Sequence, residues 1–311
     1  MEAFLSNLAS VASNVCVLFI LMAVGFLANK LKIVNENGAK CLSDIALRII
    51  TPCVIVNSFM REYDPDAMKD YLIVLGVTLL VHGFLILCAH FTLFDKIEDR
   101  KKVYRFALIF SNAGYMAIPL QQAILGEEGV FFGSAYIAGF NIVLWSYGVM
   151  MMSADAKAFS IKKILLNQGI VAVAVGMLIF CLSVPIPAPV KSAVGHLAGM
   201  NTAVPMLVIG YYFADSDLKS ALKDKKSYLC LFLRLVAAPD VAISVIRLCG
   251  MTGIPFLTMA IAISTPCAAA TTMFSAKYNR DVHLSARLVS FSTALSVLTM
   301  PFVIAVSMLF A

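Results

Sequence analysis

The sequence predicts an all-α polytopic membrane protein: ten transmembrane helices in two inverted five-helix repeats, with helices 4 and 9 broken at prolines. Three observations lead there. Of 311 residues, 61% are hydrophobic and only 14% charged, whereas a soluble domain carries roughly 25% charged residues. The charges gather in short clusters between apolar runs of about 20 residues, the length that spans a bilayer core. Prolines recur at matching places half a chain apart.

Taken in order, the apolar runs fall at about 9–29, 39–60, 70–93, 104–124, 129–152, 162–183, 190–213, 227–249, 253–276 and 283–309. Met1 to Ser10 holds Glu2 and no Lys or Arg, so it lacks the basic region of a secretory signal and the first run reads as a retained helix. Between the fourth and fifth runs stands only Gly126-Glu127-Glu128-Gly129, two acids and two glycines that make a water-exposed turn. The loops after odd-numbered runs carry eighteen Lys and Arg, among them Lys157, Lys219 and Lys223, against four in the other loops. The positive-inside rule then puts the odd-numbered loops in the cytoplasm and both termini outside the cell membrane.

The half-chain repeat is seen in the prolines. Pro52 and Pro205 lie 153 residues apart in the second and seventh runs, and Pro119 and Pro266 lie 147 apart in the fourth and ninth. The repeats are residues 1–153 and 162–311. Because five is odd, the second must run inverted, and inverted repeats with broken helices are the signature of secondary transporters.

The chemistry is expected at the breaks. Ser111-Asn112-Ala113-Gly114-Tyr115-Met116-Ala117-Ile118-Pro119-Leu120 puts an amide, a glycine and a proline in mid-span. Gly114 and Pro119 would open the helix between Asn112 and Pro119. In the ninth run the break is expected around Thr265-Pro266-Cys267. The second halves of both helices would then aim their N-termini, each worth about half a positive charge, at one site, which favours an anion. Asn112 can donate and accept, and a lone amide in lipid needs a partner; Ser111, Ser264, Thr265, Thr271 and Thr272 add neutral donors. For any one hydroxyl the plainer account is a bond back to its own helix. Asn141 is the fifth run's candidate for lining the cavity, with Tyr136, Trp145 and Tyr147 as polar or aromatic surface. Asn57 and Asn201 flank the repeated prolines and are candidates too. Asp240, deep in the eighth run, is the candidate for coupling to a proton or sodium. Arg234, six residues away, is too far round the helix for an ideal pair. Asp44 reads as a solvated or capping acid.

Other classes are disfavoured. Eight cysteines fall mostly in apolar runs without a CxxC pair, and the four histidines (82, 90, 196 and 283) stand alone, so neither a metal site nor a disulfide framework is expected. GxxxxGK[ST] and GxSxG are absent, no loop is long enough for a soluble domain, and the chain calls for no cofactor. The net charge of +6 is spread over several loops, as an orientation signal is and a nucleic-acid footprint is not.

Over essentially its full length the chain resembles the auxin efflux carrier family, the bacterial permeases together with the plant carriers. The resemblance is carried by Ser111-Asn112-Ala113-Gly114 through Pro119, by Ala203-Val204-Pro205 through Gly210, by Thr265-Pro266 through Asn279, and by Ser290 to Pro301. It implies a crossover of helices 4 and 9 at their prolines, elevator-type alternating access, and organic-anion substrates: auxin in plants, malate or malonate in bacterial members. The plant carriers use an asparagine on each crossover helix. Here Cys267-Ala268-Ala269-Ala270-Thr271-Thr272 follows Pro266, so the second asparagine is missing and Thr271 or Thr272 stands in. The long plant loop between the fifth and sixth helices is also absent, which marks the compact prokaryotic branch and points away from auxin.

The expected function is therefore a permease for a small mono- or dicarboxylate, with the lipid bilayer as its medium. Two alternatives stay open: a sodium-coupled carrier resembling the bile-acid symporters, and a membrane receptor that binds an anion without moving it. An intramembrane enzyme lacks an acid pair or a His/Cys cluster. The oligomeric state stays open, a homodimer included.

Overall fold

The computed structural model describes residues 2–153, 160–214 and 224–311; Lys157, Lys219 and Lys223 of the charge count lie outside them. The protein is all-helical and membrane-type. Among the described residues, six helical stretches are long and apolar enough to cross a bilayer, with two shorter apolar helices beside them. In order the helices are α1 (Glu2–Lys30), α2 (Glu36–Ile45), α3 (Thr51–Phe59), α4 (Pro65–Thr92), α5 (Glu98–Ile109), α6 (Ile118–Val143), α7 (Val149–Ser153), α8 (Ile161–Leu165) and α9 (Gln168–Cys181). They continue as α10 (Ala188–Gly199), α11 (Ala203–Ala214), α12 (Lys225–Phe232), α13 (Ala238–Leu248), α14 (Gly253–Ser264), α15 (Ala270–Lys277) and α16 (Val282–Met308).

Among the described residues four wide π turns stand at helix ends: Ala46–Ile50, Leu144–Gly148 and Leu233–Ala237 join consecutive helices, and Ala113–Ala117 leads into α6. Three of them are followed two residues later by a proline: Pro52, Pro119 and Pro239. A proline has no N–H to give and crowds the carbonyl four residues back. The extra residue of a π turn moves that carbonyl aside, so the helix passes through the proline without breaking.

The turn expected at Gly126 is present inside α6. Gly126 has φ +68° and ψ −156°, a backbone that glycine adopts readily and other residues rarely. The chain reverses there. A Cβ placed on Gly133 would lie 3.1 Å from Cδ1 of Ile118, whereas fifteen residues of straight helix would hold the two about 22 Å apart.

Two sets of helices can be traced, and they also pack on each other, α1 against α16 and α6 against α3 and α9. The first joins α1 to α11, α3 to α9 and α10, and α2 to α11. The second joins α4 to α5 and α6, α14 to α6 and α16, and α15 to α16. Within the first set, α1 and α11 touch backbone to backbone, the close approach that small residues allow in membrane helices. A Cβ on Gly25 would fall 2.2 Å from the Leu207 carbonyl oxygen, and one on Gly210 would fall 1.9 Å from that of Met22.

The second set is tied at one end by charges. Lys226 bonds Asp95 at 2.9 Å, Arg280 bonds Asp99 at 2.5 Å, and Asp224 accepts from Arg100 and from the Tyr104 hydroxyl. These residues come from the basic clusters that the charge count assigned to the cytoplasm.

Candidate functional site

The site is built where two spans break. α5 ends at Ile109, and Phe110 is extended at φ −101°, ψ 116°. α14 ends at Ser264, and Thr265 is extended at φ −65°, ψ 153°. The two extended pieces cross and pair as a single antiparallel bridge between Ser111 and Cys267. The Asn112 N–H donates to the Pro266 carbonyl at 2.8 Å, and the Ala268 N–H donates to that of Phe110 at 2.9 Å. The Cys267 N–H donates to Ser292 Oγ at 3.1 Å. Each break thus satisfies the backbone groups of the other, which hydrocarbon could not do.

The first break is not where the sequence suggested. It falls at 110–112, before Gly114 and Pro119, and those two lie in the π turn and the start of α6. Pro119 is accommodated by that turn, so it does not have to open the helix; the pairing with 266–268 holds the break open. The ninth-run break around Thr265-Pro266-Cys267 is where it was expected.

The crossing has two chemically opposite sides. On one side lie the carbonyl ends of α5 and α14, and Arg234 fills it. This arginine is fully buried. Its Nη1 donates to Leu108 O at 3.1 Å, its Nη2 to Ile263 O at 2.6 Å and Thr265 O at 2.8 Å, and its Nε to Thr265 O at 3.1 Å. Two helix C-termini carry about one negative charge between them, and one guanidinium matches it. The sequence did carry a signal for this role: a cation alone in an apolar run. Its partners are backbone carbonyls rather than Asp240.

On the other side lie the starts of the second halves, at Ala113 and Ala270. Neither has a side-chain cap. By contrast α2, α4, α9, α12 and α16 are each capped by an Asn or Asp. Asn112 is 4% exposed, Thr271 is fully buried with its hydroxyl unpaired, and Thr272 is half-buried. Among the described residues the Asn112 amide has no hydrogen-bond partner. Gly114 is partly exposed, and a Cβ there would meet nothing within 4 Å. This side therefore holds the unpaired Asn112 amide and Thr271 hydroxyl, with open space at Gly114, while the Thr271 and Thr272 N–H groups donate to the Ala268 and Ala269 carbonyls.

The remaining candidates are placed as follows. The Ser264 and Thr265 hydroxyls bond back to Ile261 and Ala262 of their own helix, both at 2.9 Å, the plainer account of such residues. Ser111 Oγ is 3.1 Å from the Tyr136 hydroxyl. Asn141 meets Gly169 at the start of α9 and takes no part in the crossing's hydrogen bonds. Asn57 donates to Glu127 at 3.1 Å in an exposed position, which takes it out of the cavity. Asn201 is fully buried with both amide atoms unpaired, between α10 and α11. Asp240 is exposed on α13 and touches none of the groups that hold Arg234. Asp44 is exposed and pairs with Arg48 at 2.9 Å. Among the described residues no cluster of three His, Cys, Asp or Glu could hold a metal.

Comparison with known proteins bears on what this site serves. Residues 10–304 match a family model described as "Membrane transport protein". The chain is similar to an uncharacterised transporter of Methanothermobacter thermautotrophicus, 22% identical over 91% of this chain and 93% of that protein. It is also similar to an uncharacterised transporter of Methanocaldococcus jannaschii, 21% identical over 91% of this chain and 94% of its relative.

Proposed function

Because the chain belongs to the membrane transport protein family, the auxin efflux carriers and their permease relatives, we propose that it is a secondary transporter for a small organic anion such as a mono- or dicarboxylate. One observation carries the proposal: two helix starts without side-chain caps and the unpaired polar groups of Asn112 and Thr271 lie, with open space at Gly114, at a crossing whose opposite side is already neutralised by Arg234. The two starts supply about one positive charge, a match for one carboxylate. Asn112 orients it, Thr271 and Thr272 donate to it, and Gly114 leaves it room.

The reading extends to the whole chain. Ten spans in two inverted repeats are supported by the reversal at Gly126 and by the mating breaks half a chain apart. Elevator-type movement is part of the same reading: α4–α6 and α12–α16, which carry the crossing, would slide on the set that holds α1–α3 and α9–α11 along the α1–α16 and α6–α9 contacts. The setting is a cell membrane with both termini outside. The test is uptake of labelled malate, malonate and related acids into sealed proteoliposomes. Flux that Asn112→Ala abolishes is the expected result. Binding without flux would make the protein a receptor, and no response to any carboxylate would overturn the anion site.

A further inference from the structure

In carriers with broken helices, half-helix carbonyl ends and unwound carbonyls are where coupling cations bind. Here the oxygens of Leu108, Ile263 and Thr265 converge within reach of one planar group, and that group is the Arg234 guanidinium. No carboxylate pairs with it among the described residues. Among the described residues, the charge that faces the arginine is the partial charge of the two helix ends. Guanidinium is permanently charged, weakly hydrated and forked, which suits three converging acceptors better than a lysine would.

We propose that Arg234 is a tethered counter-cation that permanently fills the place a sodium ion would take, so that the anion site forms with no alkali metal bound at the crossing. The helix ends are held in register by a charge that cannot dissociate during the cycle. Substrate movement is consequently uncoupled from sodium at this site. The part of this inference that concerns flux rests on the anion-carrier reading; the part that concerns cation binding does not.

Arg234→Ala would leave three carbonyls facing a space of guanidinium size. The experiment follows the melting of purified protein in detergent while sodium, lithium or guanidinium replaces choline at constant ionic strength and millimolar concentration. Wild-type melting is expected to be indifferent to the replacement, and Arg234→Lys likewise. Arg234→Ala is expected to melt lower in choline and to regain several degrees, saturably, with guanidinium or an alkali ion, since a ligand that binds only the folded state stabilises it by mass action. A plain packing role would give the loss without the ion-specific recovery. Saturable stabilisation of the wild type by sodium, or wild-type flux that requires sodium, overturns the proposal. So does a folded Arg234→Ala protein that no cation restores. If Arg234→Ala folds in no salt, the wild-type titration decides alone. Ion-specific recovery with no organic-acid flux would sink the carrier reading and leave this one standing.

Discussion

At Gly210 an added methyl would sit 1.9 Å from the Met22 carbonyl oxygen and against the rest of that residue's backbone, which cannot yield as a side chain could. Gly210→Ala should therefore lower stability by about 1–3 kcal/mol, the usual cost of overpacking, seen as earlier thermal unfolding in detergent. Gly114→Ala meets open space and should melt like the wild type. Thr271 gives a sharper contrast. Its buried hydroxyl has no partner, so Thr271→Val removes an unsatisfied group and should melt at the same or a higher temperature. If that hydroxyl serves a carboxylate, the same change should weaken organic-acid binding about threefold to tenfold, the worth of one hydrogen bond. Equal binding by both proteins would remove Thr271 from the site.

Between elements, the crossing depends on the bridge and on Arg234 rather than on the proline of the fourth span. Ser111 and Cys267 form a non-hydrogen-bonded antiparallel pair, because the bonds run from their neighbours: Asn112 to Pro266 and Ala268 to Phe110. In such pairs the Cα atoms stand about 4.5 Å apart, within the range a disulfide accepts. Ser111→Cys should thus be oxidised to a disulfide with the native Cys267 by a small membrane-permeable oxidant, as read by mass spectrometry. Adding Pro119→Ala should leave that disulfide unchanged, since Pro119 follows a π turn and lies outside the break. Loss of the crosslink in the double variant would return the break to the proline. The sequence placed polar and proline landmarks in the right spans but set the first break several residues late. A proline's effect depends on whether the turn before it is α or π, and that is settled by packing.

Across the whole molecule, the charged end of the second helical set should give stability a pH dependence. Burial alone would raise the Asp95 carboxyl; the Ile97 N–H, the Lys226 ammonium and Arg100 outweigh it and hold it below the usual carboxylate range. For Asp224 burial again raises, and the Tyr104 hydroxyl, the Lys226 N–H and Arg100 prevail. A carboxyl depressed in the folded state contributes stability that is present above its unfolded pKa, about 3.9, and is lost as pH falls through the folded value. Melting temperature should therefore hold between about pH 8 and 5 and fall below about pH 4, and Asp224→Asn should show a shallower acid fall from a lower starting point. An acid limb identical in the two proteins would show that this network carries none of the dependence.

The sequence by itself determined the class of the protein and its landmarks. Apolar runs of bilayer length, alternating basic loops and two acids flanked by Gly126 and Gly129 are local features, and local physics reads them directly. Asn112 and Thr265-Pro266 were legible as irregularities because lipid tolerates so few polar groups or breaks. Only the tertiary structure decided what satisfies those breaks. Asn112 and Pro266 stand 154 residues apart in the chain and meet because each break lacks backbone partners that only the other can supply. Arg234 stands near Asp240 in the sequence, but its partners are the carbonyl ends of two other spans. Neither partnership leaves a trace in periodicity or composition, because a backbone carbonyl carries no side-chain identity for a sequence to display.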